Sequence, residues 1–372
     1  MAAAPGRGVA GAPPSRRARL DDPGREPGVD LARGLAVFGM FAAHVVVTAD
    51  AFAWGDPSSW TAAVNGNSSI LFATLAGVSL ALVTGGSAPH AGARLATDRA
   101  RIGVRAGCVF VVGVLLLLLP TPVYVILPAY GILFALALPV LRWRPLALVA
   151  AAVGIAVIAP FAVAAIDADP FWFTPVGRAV SAALGWHYPF LAWIAFVLAG
   201  LALGRAGLSR ARVVLAAGLA GVAVSAVGFA VVGRSGSPAL SSEAHGTGVG
   251  EMLGSGGLAI AIVCACVLVG RTPVRWILWP VRAVGAMPLT AYVAQLIAWS
   301  VWVWVRSADG TEVDPYRGFI AIEPFWALSA ATLAGCSLWA LLLGRGPLEW
   351  AIAALARAVA PGRPASPARL GA

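Results

Sequence analysis

The chain has 372 residues, of which 60% are hydrophobic and only 11% charged, with a mean hydropathy of +0.86. Soluble domains carry about 25% charged residues, so this composition excludes a soluble core of that size and predicts an all-α, polytopic membrane protein. The formal net charge of +10 rests on 26 basic residues that are all arginine, which excludes a P-loop, a pyridoxal Schiff base and a lysine nucleophile. These arginines lie dispersed between apolar runs instead of forming an aromatic-interleaved basic face, so nucleic acid is not the expected partner.

Residues 1–27, rich in Ala, Gly, Pro and Arg, read as a disordered cytoplasmic tail. Arg16-Arg17 precedes Asp21, Asp22 and Pro23 and not an apolar region, so no cleaved signal is expected. Ten apolar segments follow within 28–346, at about 33–51, 67–84, 104–120, 122–141, 146–166, 189–205, 213–233, 252–270, 283–305 and 325–344. With the amino terminus cytoplasmic, 22 arginines fall inside, leaving Arg178, Arg234, Arg306 and Arg317 outside. That bias predicts ten spans with both termini cytoplasmic. Trp54, Trp60, Trp172, Trp186, Tyr188 and Tyr316 flank the outer ends as an interfacial belt. Residues 347–358 are too short to span and read as an interfacial amphipathic helix, with 359–372 a flexible tail.

Internal prolines predict kinks at Pro128 and Pro160. Small residues four apart, Ala73, Gly77 and Ala81, and again Gly250 and Gly254, predict close helix contacts. Cys108, Cys264, Cys266 and Cys336 all lie in apolar runs and read as packing residues; Cys264 and Cys266 point apart on a helix, and no metal is expected.

The segment from Asp30 through Arg33 to His44 carries the main chemical signal. Eleven residues of helix are about 16 Å and nearly whole turns, so Arg33, His44 and Thr48 share a face, with Asp30 pairing Arg33. An ionisable residue inside a span is a functional candidate; the bland reading is a neutral histidine locking two helices. His187, His245, Glu243, Glu251 and Asp50 all fall on the outer half, where a histidine beside a carboxylate suits general-base activation of a hydroxyl or amine. His187 reads otherwise as a belt residue and His245 as a solvated loop. On the inner side, His90 with Arg94, Arg99, Arg101 and Arg105 suits either the phosphates of a nucleotide-containing acyl donor or anionic lipid. Thr290, Tyr292 and Gln295 mark a polar cavity wall or interhelical hydrogen bonds.

Asp30-Leu-Ala-Arg33-Gly, His44, the Tyr188-Pro189 to Arg205 segment, Leu289-Thr290-Ala-Tyr292 and Gly346-Pro347-Leu348-Glu349-Trp350 together resemble the bacterial YeiB-like membrane family. That family is similar to the heparan-alpha-glucosaminide N-acetyltransferase-like transmembrane acyltransferases, and the likeness covers about residues 27–355. The resemblance implies transfer of an acyl group, typically acetyl, from cytoplasmic acetyl-CoA or another acyl-CoA to an outward-facing glycan, lipid-linked or other envelope acceptor. Arg33 and His44 match the Arg-to-His spacing of membrane acyltransferases, which carries the catalytic role to His44; Arg33 and its partner Asp30 are catalytic candidates beside it. His187, His245, Glu243, Glu251, Tyr292 and Gln295 are candidates for the acceptor, and Arg94, Arg99 and Arg101 for the donor. Residues 52–66 hold no histidine where the glucosaminide acetyltransferases place theirs, and Ala291 stands where YeiB-like chains usually have Asn. A transporter or flippase is the alternative, since five spans plus five can form inverted halves; a non-catalytic scaffold is a third.

Overall fold

The computed structural model describes residues 25–49, 52–53, 55–234, 236–308 and 314–361. Most of the amino-terminal tail, Asp50, Trp54 and most of the carboxy-terminal tail lie outside them. Among the described residues the protein is helical, with no strand.

The helices in chain order are α1 (Pro27–Val45), α2 (Asn67–Val83), α3 (Gly92–Leu116), α4 (Leu127–Ala137), α5 (Pro145–Asp167), α6 (Pro175–Leu184) and α7 (Phe190–Ala206). They continue with α8 (Ala211–Ala230), α9 (Val249–Val269), α10 (Trp279–Ala286), α11 (Pro288–Ala308), α12 (Phe325–Leu342) and α13 (Pro347–Val359). Prolines open α1, α4, α5 and α13 within the first turn, where a missing N–H costs no hydrogen bond. Every apolar segment contains helix; α6 and α13 are shorter additions. Seven stretches are long and apolar enough to cross a membrane, namely α1, Pro57–Val83, α5, Ala211–Arg234, α9, α11 and α12. Of the other three, α4 has 11 residues and α7 has 17, and α3 carries four arginines along its first half. Large apolar side chains such as Leu118, Leu146, Ile158, Phe161 and Trp326 point outward, which suits lipid as the surrounding solvent. The chain is a multi-pass membrane protein.

α2 packs on α7, α8 on α9, α3 on α4 and α10 on α1. In the first pair a Cβ at Gly77 would overlap the Val197 carbonyl, and one at Gly200 the Thr74 carbonyl. The two backbones touch, as the small residues of α2 lead one to expect. Below this contact Arg205 is buried, with only 4% of its surface exposed. Its guanidinium donates to the carbonyls of Ala81 (3.0 Å), Gly86 (2.5 Å) and Leu141 (2.6 Å) and to Thr84 Oγ1 (2.5 Å). This arginine ties the turn after α2 to the end of α4, satisfying carbonyls that helix ends leave open.

Three expectations need correction. Pro128 does not kink a long fourth span: it sits in the first turn of the half-length α4, and most of residues 117–126 descend as irregular chain from α3. Its ring removes an N–H only where none is needed, so the helix starts there. The ninth apolar segment is broken at Met287 into α10 and α11, again just before a proline. Finally, α1 ends at Val45, so Thr48 lies beyond the helix and off the Arg33–His44 face, and His44 occupies the last turn instead of mid-span. The helix runs through Pro160 without interruption.

Candidate functional site

Two cavities flank α1, one toward each of its ends. The first, about 310 Å³, is lined by His44, His187, His245, Tyr124, Tyr188 and Tyr292, with Asn65, Ser68 and Ser69 from the start of α2. The His187 and His245 rings lie 4.9 Å apart between centroids, Tyr124 stacks on His187 at 3.9 Å, and Tyr188 meets His245 edge-on at 5.8 Å. Tyr292 reaches over from α11 to within 6.3 Å of the His44 ring. Three histidines distant in sequence therefore share one wall.

His245 enters this cavity on a loop of unusual backbone. Both His245 (φ 62°) and Thr247 (φ 52°) are left-handed, a conformation costly for side chains other than glycine. The buried Glu251 carboxylate holds them, accepting the His245 amide at 2.7 Å and the Thr247 amide at 2.8 Å. Glu251 is not on the cavity wall, and Glu243 is exposed and outside it. The carboxylate reading for acceptor binding is thus replaced, for Glu251, by a loop-holding contact.

The second cavity, about 600 Å³, has a charged mouth of Arg25, Arg33, Arg105, Arg345, Asp30 and Glu349 and a long apolar flank from α2, α3 and α4. Asp30 is clamped between two guanidiniums, Arg25 (2.8 and 2.9 Å) and Arg33 (2.7 Å), while Arg33 also donates to Ser79 Oγ at 2.8 Å. Glu349 accepts the Leu289 amide (2.8 Å), the Thr290 amide (3.1 Å) and the Thr290 hydroxyl (2.5 Å), capping the start of α11. This contact joins two of the short sequence motifs physically and sets the pitch of the helix that carries Tyr292.

Arg94, Arg99 and Arg101 do not line this cavity. Arg99 donates to the Leu138 carbonyl at 3.1 Å and Arg101 to the Ala360 carbonyl at 3.0 Å, which ties them to the ends of α4 and α13. On a helix, residues 94 to 101 precede Arg105 by one to three turns, so only the last of the four arginines reaches the cavity. The His90 ring pairs with Asp98 at 2.6 Å instead of facing a ligand. Asp30 and Arg33 likewise do not share a cavity with His44; the helix separates them.

Met40, Ile126 and Tyr292 line both cavities and form the septum between them. Beside it, His44 Nδ1, the Tyr292 hydroxyl and both amide atoms of Gln295 are buried without a hydrogen bond of good geometry. Gln295 faces His44 and the Ile126 amide faces Tyr292 closely enough for small adjustments to close these contacts. Sequence reasoning missed Tyr124, Asn65, Ser68, Arg345 and Ser79. None stands out in composition, and the irregular segment that delivers Tyr124 and Ile126 lay inside what reads as an apolar span.

Burial, reinforced by the neighbouring His245, pushes the His187 imidazole down to about 4, and burial also lowers His245. Unfolded histidine titrates near 6.5. Below that value the unfolded chain takes up a proton before the folded one does, so stability falls as pH drops from about 6.5 toward 4. Thermal unfolding in detergent should show a midpoint that declines from pH 7 to pH 5, and His187→Gln should flatten the decline. An unchanged slope in the variant assigns the acid lability elsewhere.

Residues 25–235 match the family described as heparan-alpha-glucosaminide N-acetyltransferase, catalytic. Residues 201–358 match a second family, described as protein of unknown function (DUF418). No curated protein and no solved structure matches the chain. The first match contributes His44, His187, Met40 and Ile126, and the second His245, Tyr292 and Glu349, so the septum draws on both.

Proposed function

The chain belongs to the heparan-alpha-glucosaminide N-acetyltransferase catalytic family, with a second half of YeiB type, and we propose that it transfers an acyl group through the membrane at the septum between its two cavities. The observation that carries this reading is the shared wall of Met40, Ile126 and Tyr292, with arginines on one side and histidines on the other.

The donor is an acyl-CoA, acetyl-CoA first, in the larger cavity. Arginines such as Arg33 and Arg105 at the mouth suit its phosphates, since guanidinium forks match phosphate geometry. The apolar flank suits the pantetheine arm, whose thioester then reaches the septum. The acceptor is a sugar or other envelope hydroxyl or amine in the smaller cavity, where stacked aromatic rings suit a sugar face. His44 takes the acceptor proton as the nucleophile attacks the thioester carbon. A C–O or C–N bond forms, the C–S bond breaks, and the departing thiolate takes up a proton.

In this reading the chain crosses the inner membrane of a bacterium ten times, the fourth crossing partly as irregular chain, with both termini cytoplasmic and α13 lying along the inner interface. The arginine distribution supports that orientation.

Proteoliposomes supplied with labelled acetyl-CoA on one side and amino-sugar or polyol acceptors on the other test the proposal. Labelled acceptor on the far side is expected. The irregular 117–126 segment is the feature that favours a transporter; acceptor flux without acylation would establish that reading instead.

A further inference from the structure

The irregular chain between α3 and α4 places a helix amino terminus at the septum. Ile126 caps α4 and lines both cavities, and no side chain caps that end. The first N–H groups of a helix have no partner within it and carry the positive end of its dipole. Backbone of this kind is tolerated at membrane depth only where protein or a cavity surrounds it.

A second, independent feature points to the same place. Tyr292 is 3% exposed, its hydroxyl oxygen has no hydrogen bond of good geometry, and the Ile126 amide faces that oxygen. If the amide donates to the oxygen, the phenolic proton remains to be given away. Met40, the third septum residue, has no hydrogen to donate. An unpaired polar proton inside a bilayer is expensive, so a phenolic proton retained there without a protein acceptor calls for one from a ligand.

We propose that Tyr292, supported by the amino terminus of α4, donates a hydrogen bond to the thioester carbonyl oxygen as it becomes an oxyanion. This rests on the acyl-transfer reading and adds the group that stabilises its transition state. The acceptor oxygen or nitrogen bonds to the carbonyl carbon, the C=O π electrons move to oxygen, and Tyr292 keeps its proton while donating. On collapse the C–S bond breaks and the thiolate leaves with the electron pair. The geometry also suits the direction of charge: the developing anion sits at the positive end of α4, opposite His44, which carries the acceptor's proton.

The test is Tyr292→Phe, which removes one oxygen and keeps the ring against His44 and Ile126. Loss of one oxyanion donor lowers kcat by roughly 10²–10³-fold; the donor KM and the affinity for free CoA, measured by titration, should stay within about threefold. Wild-type transfer with an equally active Tyr292→Phe protein overturns the assignment alone. So does a raised donor KM with kcat intact, since binding and not the oxyanion would then depend on the hydroxyl. Should Tyr292→Phe unfold in detergent, Ile126→Pro, which deletes the supporting amide, replaces it and must lower kcat without altering CoA affinity. A wild-type protein that transfers no acyl group from any acyl-CoA removes the acyl-transfer reading and this role together.

Discussion

Replacing His44 with alanine should lower acyl transfer by about 10²–10⁴-fold, the range for a positioned general base, and leave the protein folded. The two halves of this expectation have separate grounds. His44 lies on the smaller cavity, within 6.3 Å of the Tyr292 ring that separates it from the other cavity. It is therefore the histidine in ring contact with a septum residue, whereas His187 and His245 meet one another with their rings tilted. Structurally it gives up little: the ring is half-buried in the last turn of α1, and its Nδ1 makes no hydrogen bond of good geometry. Initial rates at saturating acetyl-CoA, alongside melting curves and CoA titration, separate the effects. A His44→Ala protein that keeps wild-type rates removes the base from the mechanism. Acid quenching after donor alone distinguishes a transient acyl carrier, which would hold label on His44, from a base, which would not.

How far the sequence reaches can be seen at particular residues. Apolar runs are read well because each must bury its own backbone hydrogen bonds in lipid, so every run holds a helix, although the fourth keeps only Leu127–Ala137 and the ninth breaks at Met287. What hydropathy cannot register is a stretch of chain that is apolar yet not helical. Residues 117–126 are as greasy as a span, and only packing against α1 and α11 lets them run irregularly along a cavity. The Asp30–Arg33 pair follows from helical spacing, and so does the separation of Arg33 from His44 by length. Spacing could not say that the same distance puts the two residues on different cavities. The arginines of α3 show the limit of charge as a guide: four along one helix look equivalent, but Arg99 and Arg101 are held by backbone carbonyls and only Arg105, furthest along the axis, lines the cavity. Convergence of His44 with His187 and His245 depends on long-range packing, which spacing along the chain does not encode; only the scarcity of polar groups on the outer half hints at it.

Glu251→Ala should destabilise the protein by about 2–6 kcal/mol, because two buried amides lose their acceptor at about 1–3 kcal/mol each. It should also loosen the hold on His245 in the cavity, since the carboxylate accepts the amides of both left-handed residues, 245 and 247. The prediction distinguishes two roles for one carboxylate. A group that binds acceptor would raise the acceptor KM and leave melting unchanged, whereas a group that fixes the loop lowers both the melting temperature and kcat. Glu251→Gln keeps one acceptor oxygen but turns an NH₂ toward the second amide, so it should fall between wild type and alanine. Thr247→Gly supplies the deciding comparison. Glycine adopts positive φ without steric cost, so in the Glu251→Ala background it should recover part of the lost stability, while the amide left unpaired keeps the recovery incomplete. Full stability in Glu251→Ala, or no gain from glycine at 247, would show that the loop holds its shape by other means and return Glu251 to the list of groups that face the acceptor.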